Sequence, residues 1–154
     1  MTAAEQKVLH ATCVEIGSAG IILRGKPGSG KSDLALRLID GGARLVADDQ
    51  VIVSLERGRI IARPPSTILG RLEVRGIGII GVPVVKKAKL QLIVDLVPAD
   101  QVPRLPDRRQ EDILGVPVNL IALSPFDASA AAKLRLAVKA FGQKKFRHNI
   151  AGAK

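Results

Sequence analysis

Short apolar stretches along the chain, each bounded by glycine or polar residues, predict a protein built mainly of β-strands. We expect single strands over residues 8–16, 20–24, 44–47, 72–74, 90–97 and 116–123. A hairpin that turns at Arg57-Gly58 is expected to join two further strands, over 51–56 and 59–63. The pattern therefore predicts at least eight strands.

Two stretches have the spacing of amphipathic helices instead. In residues 31–39 the apolar side chains share one helical face, and Gly41-Gly42 supplies a stop signal. A second helix is expected over 127–141, with Asp127 or Ser129 as its N-cap and Gly142 as its C-cap. Strands outnumber helices, which predicts an α/β domain with a mixed sheet rather than a regular alternation of strand and helix.

Composition is that of one folded domain followed by a short tail. The chain has 154 residues, of which 47% are apolar and 25% charged. We predict a domain over 1–142 and a basic tail over 143–154. The single cysteine, Cys13, excludes an intramolecular disulfide, and its apolar surroundings predict a small buried residue. The N-terminus lacks the apolar segment of a signal peptide, and no apolar run reaches the length of a membrane span, so we predict a cytoplasmic protein without a membrane partner.

The formal charge of +10 is concentrated at the end of the chain. Residues 1–127 contain 17 basic and 14 acidic side chains, whereas seven bases and no acid follow Asp127. Aromatic residues, on which nucleic-acid bases stack, number only three, all phenylalanine. Nucleic-acid binding is therefore disfavoured, and the basic end is expected to be a solvated tail or a docking surface for an acidic protein.

One segment matches the phosphate-binding loop pattern G-x-x-x-x-G-K-[ST] at every fixed position. This phosphate loop comprises Gly25, Lys26, Pro27, Gly28, Ser29, Gly30, Lys31 and Ser32. Glycines let consecutive backbone N–H groups face a phosphate, and the following helix adds its positive dipole end. Lys31 is expected at the β- and γ-phosphates and Ser32 on Mg²⁺. The loop lies between a predicted strand and a predicted helix, and it predicts binding of a nucleotide such as ATP.

Other nucleotide-dependent classes fit less well. A GTPase needs a guanine-reading N-K-x-D segment, which the chain lacks. Residues 112–115 resemble a GTPase D-x-x-G, but without that partner segment we expect a loop before a strand. A transport ATPase needs a longer chain.

Two adjacent carboxylates, Asp48 and Asp49, follow the strand over 44–47 and are expected at the same sheet edge as the phosphate loop. One of them can accept the proton of a hydroxyl that attacks the γ-phosphate.

These segments together resemble the HPr kinase/phosphorylase family. His10, the phosphate loop, residues 45–49 (LVADD) and residues 72–80 (LEVRGIGII) occur in the family's order and spacing, and the resemblance covers about residues 8–138. It implies a phosphate-loop mixed β-sheet with flanking helices, as in HPr kinase and phosphoenolpyruvate carboxykinase. It also implies an ATP- and Mg²⁺-dependent kinase for a serine of the phosphocarrier HPr, reversible with inorganic phosphate, and a hexameric assembly.

The resemblance implies a role for each matching residue. Asp48 would be the general base, Lys31 would hold the phosphates, and Ser32, Glu73 and Asp49 are the candidate Mg²⁺ ligands. His10 and Arg104 match catalytic positions, and Arg75 and Gly76 belong to the family signature. Without the family, His10 would be interpreted as a hydrogen-bonded core histidine, Arg104 as a surface residue, and Glu73 with Arg75 as a cross-strand ion pair.

Three differences from the family pattern limit what the resemblance implies about activity. The family's usual N-terminal domain is missing, which predicts either a short form or a truncated chain. The stretch between Ile80 and Leu90 is shorter than the family's flexible loop. The family's arginine-containing loop before the last helix, which is tied to dephosphorylation, is replaced by residues 123–128 (LSPFDA), without arginine. Kinase activity is therefore better supported than phosphorylase activity.

Two other functions remain open from the sequence. A small-molecule kinase would share the phosphate loop, although it would need a substrate pocket with further charged residues. A nucleotide-gated regulatory module would bind nucleic acid through the basic tail, with an affinity that falls steeply with salt.

Overall fold

The computed structural model describes residues 5–65 and 70–142, and its regular elements are short. The strands are β1 (Gln6–Leu9), β2 (Thr12–Ile16), β3 (Ala19–Arg24), β4 (Arg44–Ala47), β5 (Val51–Glu56), β6 (Arg59–Arg63), β7 (Arg71–Val74), β8 (Gly78–Gly81), β9 (Ala88–Leu96), β10 (Arg109–Ile113) and β11 (Val116–Leu123). The helices are α1 (Lys31–Asp40) and α2 (Ala130–Phe141), with a single 3₁₀ turn at Ala99–Gln101.

Nine of these strands form one mixed sheet, as the sequence predicts. Its main path runs β1-β5-β6-β9-β3-β2-β4, and β11 joins it through β9 and carries β10 on its outer side. Strand β9 is parallel to β3 and to β11 and antiparallel to β6. The edge of β9 away from β3 is divided, because Ala88 and Lys89 pair with β6 whereas Leu92 to Leu96 pair with β11. The sheet therefore forks along its longest strand.

Each face of the sheet has its own apolar core. Helices α1 and α2 cover one face, where Leu34, Leu38 and Leu134 are fully buried together with the inward residues of β3 and β9. On the other face, Ile22 and Ile93 pack with buried residues of β5, β6 and β11. Because side chains alternate along β3, Ile21 and Leu23 belong to the helix side and Ile22 to the other. The sheet is thus buried on both faces, which suits its apolar strands.

A separate hairpin of β7 and β8 is attached beside β4. Leu72 of β7 is fully buried in the helix-side core. The segment after β8 extends the sheet edge, because Leu45 N–H donates to the Pro83 carbonyl at 2.8 Å and Val85 N–H donates to the Leu45 carbonyl at 3.0 Å. These two contacts hold the hairpin near the end of β4.

Most predicted elements are confirmed, four strands to the residue: 44–47, 51–56, 59–63 and 116–123. Helix α2 begins at Ala130 with Ser129 as its N-cap, so Asp127 precedes the helix. Gly142 is the C-cap, as predicted. The basic tail over 143–154 lies outside the described residues.

Two expectations about strands were wrong. Residues 8–16 do not form one strand, because a bend at His10 and Ala11 separates β1, which pairs with β5, from β2, which pairs with β3 and β4. Asp112 and Ile113 lie in strand β10 and not in a loop, and the turn to β11 follows at Leu114 and Gly115. Strands β8 and β10 were missed because they are mostly exposed and lack the apolar alternation that marks a half-buried strand.

Cys13 is fully buried in the core, as its apolar surroundings predict, and burial raises the pKa of its thiol to about 12. Within residues 5–65 and 70–142, no helix is both long and apolar enough to cross a membrane.

Candidate phosphate-loop active site

Four strands bring their ends to one edge of the sheet. Strands β3, β9 and β11 are parallel to one another, and β4 runs in the same direction because β2 is antiparallel to both β3 and β4. The phosphate loop follows β3, Asp48 follows β4, and the loop before α2 follows β11. This is the edge at which open α/β sheets bind ligands.

The phosphate loop turns tightly between β3 and α1. Gly28 and Gly30 have φ values of 81° and 95°, a left-handed conformation that glycine adopts without strain. Ser29 N–H donates to the Lys26 carbonyl at 2.9 Å, and a Cβ at position 25 would overlap with the Ser29 hydroxyl. Helix α1 starts at Lys31, within the last two residues of the loop, and has no side-chain cap at Gly30. Its first backbone N–H groups are therefore available to an anion.

Lys31 lies across this loop. Its Nζ donates to the Gly25 carbonyl at 2.8 Å and to the Lys26 carbonyl at 3.2 Å. An ammonium group has three N–H donors, so one remains for a ligand oxygen. The same side chain lines the cleft beside the loop. The positive charge that the sequence predicts for the phosphates is therefore held in place by the loop itself.

Asp48 is joined to the phosphate loop by a hydrogen bond. Ser32 Oγ donates to Asp48 Oδ1 at 3.0 Å, and Thr12 Oγ1, fully buried in β2, donates to the same oxygen at 2.9 Å. Within the described residues, Asp48 Oδ2 has no such donor and the residue lines the cleft. The carboxyl group is thus oriented through one oxygen, while the other is available for chemistry. Sequence analysis missed Thr12, because no local sequence pattern connects it with Asp48, 36 positions further along the chain.

A cleft of about 510 Å³ contains most of the predicted residues, a volume typical of small-molecule sites. Its polar lining includes Lys31, Ser32, Asp48, Asp49, Glu73 and Arg75. Phe126, from the loop after β11, lines the same cleft and was not singled out in the sequence. The structure therefore brings together the phosphate loop, the two aspartates and part of the hairpin.

The oxygen donors of this cleft suit a partly hydrated Mg²⁺. No group of three or more His, Cys, Asp or Glu side chains within residues 5–65 and 70–142 could enclose a metal ion by itself. Mg²⁺ characteristically keeps several waters and binds one or two carboxylates together with substrate phosphates. Ser32, Asp49 and Glu73 line one cleft with the phosphate loop, so the donor set fits an ion that a nucleotide would help to hold.

The other predicted residues lie elsewhere. His10 is exposed in the bend between β1 and β2, and Arg104 is exposed in the segment between β9 and β10. Neither is among the residues that line the cleft, and their catalytic roles stay predictions. Gly76 is at the tip of the β7–β8 hairpin, with a φ of 91°. Glu73 lies opposite Ile79 and Arg75 directly follows the same strand, β7, so the two do not face each other as a cross-strand pair would.

An ionic cluster beneath the loop was also missed. Arg24, the last residue of β3, donates through Nε to Asp95 at 2.8 Å and through Nη1 to Glu111 at 2.6 Å. The two carboxylates raise the pKa of Arg24, and its guanidinium lowers the pKa of Glu111. Because Arg24 directly precedes Gly25, the cluster fixes the start of the phosphate loop against β9 and β10. The sequence feature that could have indicated this cluster is Arg24 itself, a basic residue at the end of an apolar strand.

Comparisons with known proteins agree on one family. The chain matches the family model described as HPr Serine kinase C-terminal domain over residues 1–149. The HPr kinase/phosphorylase of Malacoplasma penetrans is 36% identical over 137 residues, covering 79% of this chain and 45% of the relative. That of Variovorax paradoxus is 35% identical over 133 residues, covering 78% and 42%. The chain spans less than half the length of these curated relatives.

A solved structure shows the same fold. The Hpr(Ser) kinase/phosphatase from Coxiella burnetii superposes with a TM-score of 0.77 at 31% sequence identity, covering 86% of this chain and 94% of that one. This likeness confirms the predicted α/β architecture, a mixed sheet with flanking helices. Since the family model covers nearly the whole chain, the chain belongs to the HPr serine kinase C-terminal domain family.

Proposed function

We propose that the chain is an ATP- and Mg²⁺-dependent protein kinase that phosphorylates a serine of an HPr-type phosphocarrier. The observation that carries the proposal is the link between Asp48 and the phosphate loop through Ser32. That link holds the carboxylate against the loop that would carry the phosphates, which supports Asp48 as the proton acceptor. The family membership and the names of the relatives support HPr as the protein substrate.

In this proposal each residue of the cleft has a separate task. Asp48 Oδ2 accepts the proton of the substrate serine while the serine oxygen bonds to the γ-phosphorus and the bond to the β–γ bridging oxygen breaks. Lys31 and the N–H groups of the loop stabilise negative charge on the transferred group. Bound Mg²⁺ would neutralise charge on the phosphate oxygens, with Ser32, Asp49 and Glu73 as its protein ligands.

The forward reaction is the better supported direction. The segment between β11 and α2 carries Pro125, Phe126 and Asp127 and has no arginine to bind a second phosphate group. We therefore propose kinase activity for the chain, and the reverse transfer to inorganic phosphate is to be assayed alongside it. Assembly into a hexamer, which the family resemblance implies, remains part of the proposal.

The experiment compares the wild type with Asp48→Asn. Labelled γ-phosphate is expected to reach a serine of HPr with the wild type, and the variant is expected to lose at least about 100-fold in rate while still binding ATP, because only the proton acceptor is lost. Asp40→Asn, at the exposed end of α1, is the matched control and should behave as the wild type. Full transfer by Asp48→Asn would contradict the role given to Asp48, and no transfer to HPr by the wild type would contradict the proposed function.

A further inference from the structure

Phe126, in the segment between β11 and α2, is a large apolar side chain that is mostly exposed to solvent. Among the described residues it is the one aromatic side chain that lines the cleft, and it is 72% exposed. The chain has only three aromatic residues, so its surface is not rich in them. The position of one beside the phosphate loop is therefore informative. Its position points to a ligand with an apolar face.

The sheet order separates Phe126 from the reacting end of the site. Across the fork, the strands run β11-β9-β3-β2-β4, so the phosphate loop after β3 lies between the loop after β11 and the end of β4. Asp48 is on the β4 side and Phe126 is on the β11 side. With the γ-phosphate next to Asp48, the nucleoside of the same nucleotide would lie on the β11 side of the phosphate loop. Phe126 is on the β11 side.

Phe126 is also within reach of the loop. A Cβ added at Gly30 would be 3.3 Å from Cε1 of Phe126 and 3.1 Å from Cβ of Pro125. Leu36 of α1 also lines the cleft and adds a further apolar side chain to it. Pro125 and Phe126 therefore put apolar surface next to the phosphate loop on its β11 side, away from the end of β4.

Arg37 holds the segment that carries the ring. Its Nη2 donates to the Pro125 carbonyl, and its Nη1 donates to the Asp127 carbonyl at 3.3 Å, so the residues on both sides of Phe126 are fixed to α1. Asp33, one turn before Arg37, pairs with the same guanidinium at 3.0 Å. The backbone is therefore preorganised while the ring itself stays in solvent, as a binding surface requires.

We infer that Phe126 is a stacking surface for the base of the nucleotide whose phosphates occupy the loop. The inference rests on the proposed function. An aromatic ring stacks on any base through their flat faces, without hydrogen-bond readout, so it contributes affinity rather than base selectivity. The chain would thus bind both ends of the nucleotide, the phosphates through the loop and the base through Phe126.

The test measures binding of ATP and of tripolyphosphate, which has the phosphates without the nucleoside, to the full chain by calorimetry in Mg²⁺. Phe126→Ala is expected to weaken ATP binding about 10-fold or more, and to leave tripolyphosphate binding unchanged. Phe126→Trp should bind ATP at least as tightly as the wild type. Leu136→Ala, at a residue of α2 that is 66% exposed and outside the cleft, is the control.

Two results would overturn the inference. One is ATP binding by Phe126→Ala equal to that of the wild type with a lower kcat/KM for HPr, because the ring would then contact the protein substrate. The other is equal weakening of ATP and tripolyphosphate, because the ring would then only support the loop. Failure of the proposed function is distinguishable, since the wild type would then bind neither ligand or transfer no phosphate to HPr.

Discussion

One carboxylate oxygen of Asp48 receives hydrogen bonds from two hydroxyl groups that come from different elements. Ser32 lies in the first turn of helix α1 and Thr12 begins β2, and both donate to Oδ1. If Ser32 also ligates Mg²⁺ through its lone pair, its proton can still go to Asp48. Thr12 has no such second task, which makes it a positioning residue for the proposed base.

Replacing Thr12 with valine tests that role. Thr12→Val keeps the shape of the side chain but removes one hydrogen bond to a charged group, so kcat for phosphoryl transfer is expected to fall about 10-fold with little change in the Kd for ATP. Steady-state kinetics and calorimetry measure the two quantities. Thr12→Ser restores the hydroxyl and should recover most of kcat. If the serine variant is as slow as the valine variant, the hydroxyl does not position Asp48.

At the scale of elements, the β7–β8 hairpin depends on one buried side chain. Leu72 is fully buried in the helix-side core, and its neighbour Glu73 faces the cleft on the other side of the strand. The hairpin pairs within itself and is joined to the main sheet through the backbone of Leu45. Burial of Leu72 therefore places Glu73 and Arg75 in the site.

Truncation of Leu72 is expected to reduce the stability of the fold. Leu72→Ala should lower the free energy of unfolding by about 2–5 kcal/mol, because it leaves a cavity in a packed core, and denaturant titration would measure it. Ile79→Ala, on the same hairpin but 69% exposed, should change stability by less than about 0.5 kcal/mol. Equal effects of the two substitutions would show that Leu72 does not anchor the hairpin.

How much of this could be predicted from sequence depends on the range of each interaction. The phosphate loop, α1 and the hairpin at Arg57-Gly58 are local patterns, and their positions followed from residue spacing. The contacts of Thr12 with Asp48 and of Arg24 with Glu111 join residues 36 and 87 positions apart. No local pattern encodes such pairs. Strands β8 and β10 were missed for a different reason, because their side chains are mostly exposed.

At the scale of the whole molecule, strand β9 connects the two parts of the sheet. It borders β3 on one side and both β6 and β11 on the other. Strand β10 pairs with β11, and its Glu111 also reaches Arg24 at the end of β3. The ionic cluster of Arg24, Asp95 and Glu111 thus ties three strands together below the phosphate loop.

That cluster makes stability depend on pH in a defined direction. Arg24 lowers the pKa of Glu111 in the folded state. The pairing of Glu111 with Arg24 therefore contributes fully to the free energy of unfolding above the ordinary carboxyl pKa of about 4.3. This contribution is lost as pH falls through the lowered pKa of the folded state. Glu111→Gln should therefore be less stable than the wild type above about pH 5, and the difference should shrink towards pH 3. Thermal unfolding across this range measures it, with Glu5→Gln, at an exposed residue, as the control. A difference that grows on acidification would contradict the pairing.

The buried Cys13 has a practical consequence for all of these measurements. It is the only cysteine in the chain, it is fully buried in β2 between β3 and β4, and its thiol has a pKa of about 12. A maleimide reagent reacts with the exposed thiolate, which this residue does not offer in the folded protein. The wild-type chain is thus a natural background for site-directed fluorescent labelling, since a cysteine introduced on the surface would be modified while Cys13 stays protected. Modification of Cys13 itself would report opening of the sheet between β3 and β4.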